Sequence, residues 1–229
     1  MVCPAGKEFK LVLESADLIV NTVQLSDPSL RKISSHLQSG KPLDIPILGS
    51  EILQFSTPQG QKENNTSQLT IPGTSRLLHL FWVKEGTFLG DINKNPTYFP
   101  NMELERLIVR IGGRLIERQM NFDDDSQSWS LAFQNTVNAL GGCMEGCFMG
   151  VDRWKQAQTL HVFDLTSSGF YAPCLNMAAT DKPEHGQTLA IQYQFGSAPA
   201  SPHQLLALVE KDQKLRIMPD FTLELSDEI

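Results

Sequence analysis

Polar and apolar residues alternate most cleanly in the last third of the chain. In Thr188–Phe195, Leu189, Ile191, Tyr193 and Phe195 fall on one side and Gln192 and Gln194 on the other. A period of two carried by β-branched and aromatic side chains predicts a half-buried strand. Two more apolar runs, Thr159–Thr166 and Gln204–Glu210, flank it and are set apart by Gly, Pro, Ser and Asn. Such runs in close succession predict the closing part of an all-β sandwich.

The rest of the chain reads in the same way. Phe9–Leu25 predicts one long strand, or two strands with a bulge near Glu14 and Ser15. Ser26-Asp27-Pro28 reads as a helix start, with Asp27 as the cap and Pro28 at the first helical position; Leu30, Ile33 and Leu37 then recur at helical spacing up to Gly40. Leu43–Phe55 predicts a strand interrupted at Pro46 and Gly49, and Thr57–Ser67 is polar enough to predict an exposed loop. Asn64 and Asn65 carry overlapping glycosylation sequons, which we expect to stay unused without a signal peptide.

Arg76–Lys84 is apolar nearly throughout, as a strand covered on both faces would be. Asn93–Pro100 is a loop with two prolines, and Met102–Ile111 a strand that turns at Gly112-Gly113. Asp125–Leu140 predicts a helix, capped by Ser126 or Ser128, with Trp129, Phe133, Val137 and Leu140 along one stripe. Gly142–Gly150 reads as a crossing loop and Lys214–Leu225 as a final short strand. The sum is a single domain over residues 1–229: an all-β, jelly-roll type of sandwich of about eight strands, with two short helices in its connections.

With 41% hydrophobic residues the chain can fill a core of that size. A formal net charge of −7, with Lys and Arg scattered, argues against direct contact with nucleic acid. Nowhere does the chain reach the about eighteen consecutive apolar residues that a membrane helix needs. Met1–Lys7 lacks the apolar core of a signal peptide, so we expect a soluble intracellular product. In that setting Cys3, Cys143, Cys147 and Cys174 read as free thiols.

Candidate chemistry is thin. Cys143 and Cys147 have the spacing of half a zinc site, but no second pair accompanies them, so they read as loop residues. His36, His79, His161, His185 and His203 are dispersed, and His79 and His161 sit in apolar strands where packing is the better reading. There is no nucleophile elbow and no glycine-rich phosphate loop. Asp123, Asp124 and Asp125 could attract calcium, yet consecutive carboxylates diverge, and a solvated helix N-terminus accounts for them better. Asp164, with Thr166 and Ser167, reads as a turn or cap. No catalytic, cofactor-binding or metal-ligating residue is assigned, no cofactor is expected, and the chain reads as not an enzyme.

Four segments together resemble a known family. They are Lys10–Ser26, Phe55–Gly60 (Phe-Ser-Thr-Pro-Gln-Gly), Phe88–Pro96 with the strand that ends Arg110-Ile-Gly-Gly113, and Val162–Ser168 with the strands that follow it to Ile217. In order and spacing they are similar to the second, C-terminal jelly roll of the major capsid (hexon) protein of Polinton or Maverick elements and their adintovirus relatives. Ser167 stands where that family has proline, and Met1 lies only a few residues before the opening strand, so the first jelly roll is expected to be missing.

The resemblance implies a virion subunit, present in the host cell interior during assembly. It would self-associate, as homotrimers and with other capsid proteins, into an icosahedral shell, either as a stand-alone single jelly roll or, as a split product or truncated copy, with a partner supplying the missing first jelly roll, and with no contact to membrane. On that reading Leu77–Val83, the Trp129/Phe133 helix and Trp154 are candidates for interfaces. A ligand- or receptor-binding sandwich of the lectin kind is the alternative, since one fold serves both.

Overall fold

The computed structural model describes residues 15, 24–66, 69–91, 93–95, 97–116, 120–122, 126–139, 150–165 and 186–226. In chain order the first elements are helix α1 (Asp27–Gln38), strands β1 (Leu43–Thr57), β2 (Glu63–Asn65), β3 (Leu69–Ile71) and β4 (Ser75–Lys84), and the single turn α2 (Glu85–Phe88). Next come β5 (Leu104–Ile111), β6 (Arg114–Leu115), β7 (Met120–Asn121), α3 (Ser126–Ala139) and α4 (Val151–Ala157). The chain continues through β8 (His161–Asp164), β9 (Gln187–Phe195), β10 (His203–Ile217) and β11 (Leu223–Ser226).

Every strand pairing is antiparallel. One sheet runs β1-β10-β4-β8, with β11 also on β10; in the other, β2 and β3 lie in line along β9, β5 follows, and β6 and β7 lie along β5. If β2 with β3, and β6 with β7, are each taken as one broken strand, four strands face four. The chain passes from one sheet to the other after β1, β3, β4, β7, β8 and β9. That order is a jelly roll, the arrangement the sequence predicts.

Alternation explains why the two sheets stack. Leu78, Leu80 and Trp82 of β4 and Leu205, Ala207 and Val209 of β10 meet Leu107, Val109 and Ile111 of β5 and Leu189, Ile191, Tyr193 and Phe195 of β9. Leu53 and Phe55 of β1 close the side of this core. The buried phenol of Tyr193 is satisfied by the Thr57 hydroxyl at 2.8 Å and the Asn64 amide N–H at 3.2 Å. Gly112 and Gly113, at φ 56° and 80°, make the two-residue turn that only residues tolerant of positive φ allow.

The structure corrects several sequence readings. β1 runs without a break through Pro46 and Gly49, because among the described residues it is an edge strand, paired with β10 alone, and half of its N–H groups face away from that neighbour. Thr57–Ser67 is not simply a loop: β2 lies within it, and buried Thr66 exchanges hydrogen bonds with Ile191, N–H to carbonyl at 2.9 Å and N–H to Oγ1 at 3.0 Å. Ser26 is the N-cap of α1, and Asp27 is its first helical residue. Ser128 lies inside α3, where its hydroxyl accepts the Asn121 N–H at 3.3 Å rather than capping the helix.

Lys214–Ile217 continues β10, and the last strand is the separate β11. Helix α4 is an element that periodicity did not reveal. The predicted opening strand Phe9–Leu25, the loop Gly142–Gly150 and residues Thr166 and Ser167 fall wholly or largely outside the described residues.

Where β4 ends its pairing with β10, one charged pair is drawn inside and a second reaches out to a half-exposed carboxylate. Arg76 donates to Asp212 at 3.0 Å, with both side chains largely buried, and Lys211 lies 3.5 Å from Glu51. Replacing Asp212 by Ala removes the carboxylate that faces a buried guanidinium and is expected to lower stability by about 3 kcal/mol. The double replacement Arg76→Met with Asp212→Leu is expected to cost well under half of that, as read by urea denaturation.

Candidate functional site

The most distinctive surface follows from the length of β10. It pairs with β1 along all of Leu43–Thr57, but with β4 only over His203–Lys211; beyond that, β11 takes the place of β4 along Lys214–Ile217. The core draws Leu205, Ala207 and Val209 from β10 and no residue after them. At about 3.4 Å per residue, β10 therefore runs on for about 27 Å past the core. The result is a three-stranded tongue.

Register gives the tongue two unlike faces. Leu43, Ile45 and Ile47 of β1, Leu215 and Ile217 of β10, and Leu223 and Leu225 of β11 share the face that continues the inner, core-facing side. Asp44, Lys214, Arg216 and Glu224 share the other, where Arg216 grips Asp44 through Nε at 2.8 Å and Nη2 at 3.2 Å. That guanidinium holds the Asp44 carboxyl below the usual carboxylate range, against a small opposing effect of burial. On the apolar face Leu223 and Leu225 remain 64% and 61% exposed, and Phe221 in the preceding turn 75%. Among the described residues β11 has no strand on its outer edge. Exposed leucines beside an open strand edge are the two features that soluble chains avoid unless something covers them.

Between core and tongue lies the polar belt of Lys211, Asp212 and Gln213, all buried. One step inward, on the outer face of the first sheet, His79 Nε2 is 3.0 Å from Glu210 Oε1. Burial pushes the His79 imidazole below its ordinary pKa, and the Glu210 carboxylate pulls the other way.

A second feature lies where α3 and α4 pack onto the first sheet. The His161 ring on β8 is ringed by Phe122 at 5.4 Å, Trp154 at 6.0 Å, Trp82 at 6.1 Å and Trp129 at 6.5 Å between centroids. It is fully buried, and neither ring nitrogen has a hydrogen-bond partner among the described residues; the same holds for the indole N–H of Trp82 and Trp154. With nothing to stabilise a charge there, burial pushes His161 down to about 3, so the ring is neutral at pH 7.

The residues the sequence offered as interface candidates are core residues. β4 is flanked by β10 and β8, and Leu77, Leu78, Leu80, Trp82 and Val83 are buried. Trp129 packs on Phe122 at 4.5 Å, and Trp154 is fully enclosed with Phe133 against it at 5.6 Å. An apolar run covered on both faces has nothing left to offer a neighbour. Asp164 stands on β8 opposite Leu77. All four cysteines and Asp123–Asp125 lie outside the described residues.

Among the described residues no three His, Cys, Asp or Glu side chains gather as a metal site would require, and no helix is long and apolar enough to cross a membrane. The tongue was missed because its signal is spread over three segments far apart in sequence. Only the alternation Leu223-Glu224-Leu225 announced it locally.

No protein-family model matches the chain, and no curated protein matches it. Among solved structures it is similar to PBCV-1 VP54, from a crystal structure fitted into a cryo-EM reconstruction of the virophage Sputnik. The TM-score is 0.52 at 10% identity, over 88% of this chain and 54% of that one. It is also similar to the mavirus major capsid protein (TM-score 0.42, 10% identity, 81% of this chain and 41% of that one). A chain of the Sputnik virophage gives TM-score 0.46 at 14% identity, over 81% and 38%. The chain thus spans about half the length, or less, of the proteins it matches. At such identity the likeness is one of fold alone, and the fold is a jelly roll.

Exposed side chains on the tongue contribute little to folding, so Leu223→Ser with Leu225→Ser is expected to change stability by no more than about 0.5 kcal/mol. The same pair is expected to reduce binding of an apolar dye such as ANS at least twofold, measured by fluorescence beside the denaturation curve.

Proposed function

We propose that this chain is a structural subunit of a virus, or of a virus-like transposon, and that it works by associating with copies of itself into the trimeric units of an icosahedral shell. The observation that carries the reading is the jelly-roll order, shared with VP54 over 88% of this chain. The match extends over 54% of VP54, which suits one of two jelly rolls. On this reading a partner, or a second copy, supplies the other half of each unit.

The tongue supports the proposal independently. A jelly roll closes its own core between two sheets and leaves its ends and outer faces to neighbours. Here the inner face continues past the core as exposed leucine and isoleucine, next to a strand edge that no described strand pairs with. Subunits of a closed assembly bury such patches against equivalent ones. A net charge of −7 fits a wall whose contacts with a genome are left to basic proteins. The role is mechanical rather than catalytic, in the virion and, before it, in the host cell where shells assemble.

Light scattering after size-exclusion chromatography, with negative-stain images of the same sample, tests this. Trimers or larger regular particles are expected, and Leu223→Asp with Leu225→Asp is expected to shift them to monomer without unfolding. A wild-type monomer at every concentration, with or without a partner jelly roll, would overturn the proposal and turn attention to a ligand-binding sandwich.

A further inference from the structure

We propose that His161 is an acid-sensitive latch: neutral, it lets the aromatic cluster close α3 and α4 onto the first sheet, and protonated, it releases the two helices while the sandwich stays folded. The geometry sets this site apart from the other histidines. Every ring around His161 comes from a different element: Trp82 from β4, Phe122 from the end of β7, Trp129 from α3 and Trp154 from α4. An imidazolium formed there has no carboxylate and no hydrogen-bond acceptor among the described residues within reach, so it must reach water, and the helices are what stand in the way.

The ionisable groups near the cluster do not relieve that charge. Lys155 of α4 holds its ammonium 4.6 Å from the centre of the Trp129 ring, which adds a like charge. Asp152 and Arg153 of α4 are exposed. On β9, Tyr193 touches Trp82, and its hydroxyl is held by Thr57 and Asn64. His79 is one residue from Leu80, the strand partner of His161, and so lies on the opposite face of β4, paired with Glu210. Asp164 follows on β8 itself and is half-buried, whereas Asp123–Asp125, which come after Phe122 in sequence, lie outside the described residues.

The helices are separable from the sandwich. They occupy the connection between β7 and β8, outside both sheets; besides the cluster, Trp129 Nε1 donates to the Phe122 carbonyl at 3.1 Å, Thr136 Oγ1 to the Leu160 carbonyl at 2.6 Å, the Asn121 N–H to Ser128 Oγ at 3.3 Å and the Phe99 N–H to the Ala157 carbonyl at 2.9 Å. Trp129 and Ala132 of α3 and Trp154 of α4 extend the apolar core of the sheets, and they do so around His161. A unit that lies outside the sheets and shares one buried cluster with them opens ahead of the global transition when that cluster is charged.

The sign follows from linkage. The closed state holds His161 at about 3, and a released imidazole titrates near 6.5. Between these values the open state binds the extra proton. The advantage of the closed state is therefore complete above about pH 6.5 and falls by up to tenfold for each unit below it. The latch would operate in mildly acidic surroundings whether or not the chain assembles.

The chain's three tryptophans all touch His161, so tryptophan fluorescence reads this one place. The test is a titration of the full chain from pH 7.5 to 4, with hydrogen–deuterium exchange corrected for intrinsic rates. Expected are a red shift of emission and at least tenfold faster exchange in 126–139 and 151–157, with β9 and β10 unchanged. His161→Phe is expected to abolish the transition, and His79→Gln to keep it. Constant emission down to pH 4, an unchanged transition in His161→Phe, or exchange that rises equally in β9 and β10 would each overturn the latch. Should phenylalanine overfill the site, His161→Leu takes its place, and the wild-type exchange pattern decides by itself.

Discussion

The ladder between β1 and β10 is the interaction on which the rest depends. Fifteen consecutive residue pairs, from Leu43 with Ile217 to Thr57 with His203, hold these strands in a single register. That register decides which side chains face inward: Phe55 opposite Leu205 and Leu53 opposite Ala207 in the core, then Ile45 opposite Leu215 beyond it. A slip of one residue would turn the core leucines outward and bring charged Glu210 and Asp212 in. The same ladder is the spine of the sandwich and of the tongue, so what stabilises one presents the other.

The remaining structure hangs on this spine in two ways. On one edge of β10, β4 brings a strand buried on both faces, and with it the tryptophan that links the sheet core to the helices. Farther along the same edge, past the belt of Lys211, Asp212 and Gln213, β11 takes over. The belt is a boundary of some physical consequence. Buried ion pairs contribute little net stability but penalise misplacement heavily. Arg76 with Asp212 thus marks where the apolar interior ends and the apolar exterior begins.

The fold was more legible in the sequence than the site. Leu189, Ile191, Tyr193 and Phe195 alternate so strictly that β9 could be read residue by residue, and Gly112-Gly113 announced its hairpin, because both signals are local. Pro46 misled, since a proline reads as a break unless the strand is known to be an edge, which is a property of the sheet. Trp129, Phe133 and Trp154 looked available for a neighbour because amphipathic pattern says which face is apolar and not what covers it. The tongue escaped for a related reason: Ile45, Leu215 and Leu225 become neighbours only once three strands are in register. His161 was read correctly as a packed residue, while the aromatic ring around it comes from elements that no spacing connects.

The pairing of Leu43 with Ile217 also has a bearing on how the protein comes into being. The strand at the centre of the first sheet leaves the ribosome well after both of its neighbours, β1 and β4. Until it arrives, the edges of β1 and β4 that it will join stay open, and the core has half a wall. Contacts so far apart in sequence make folding slow. They leave a nascent chain exposed to pairing with the wrong strand until β10 emerges, so crowded production of this protein calls for chaperone cover in a way that its finished stability does not reveal.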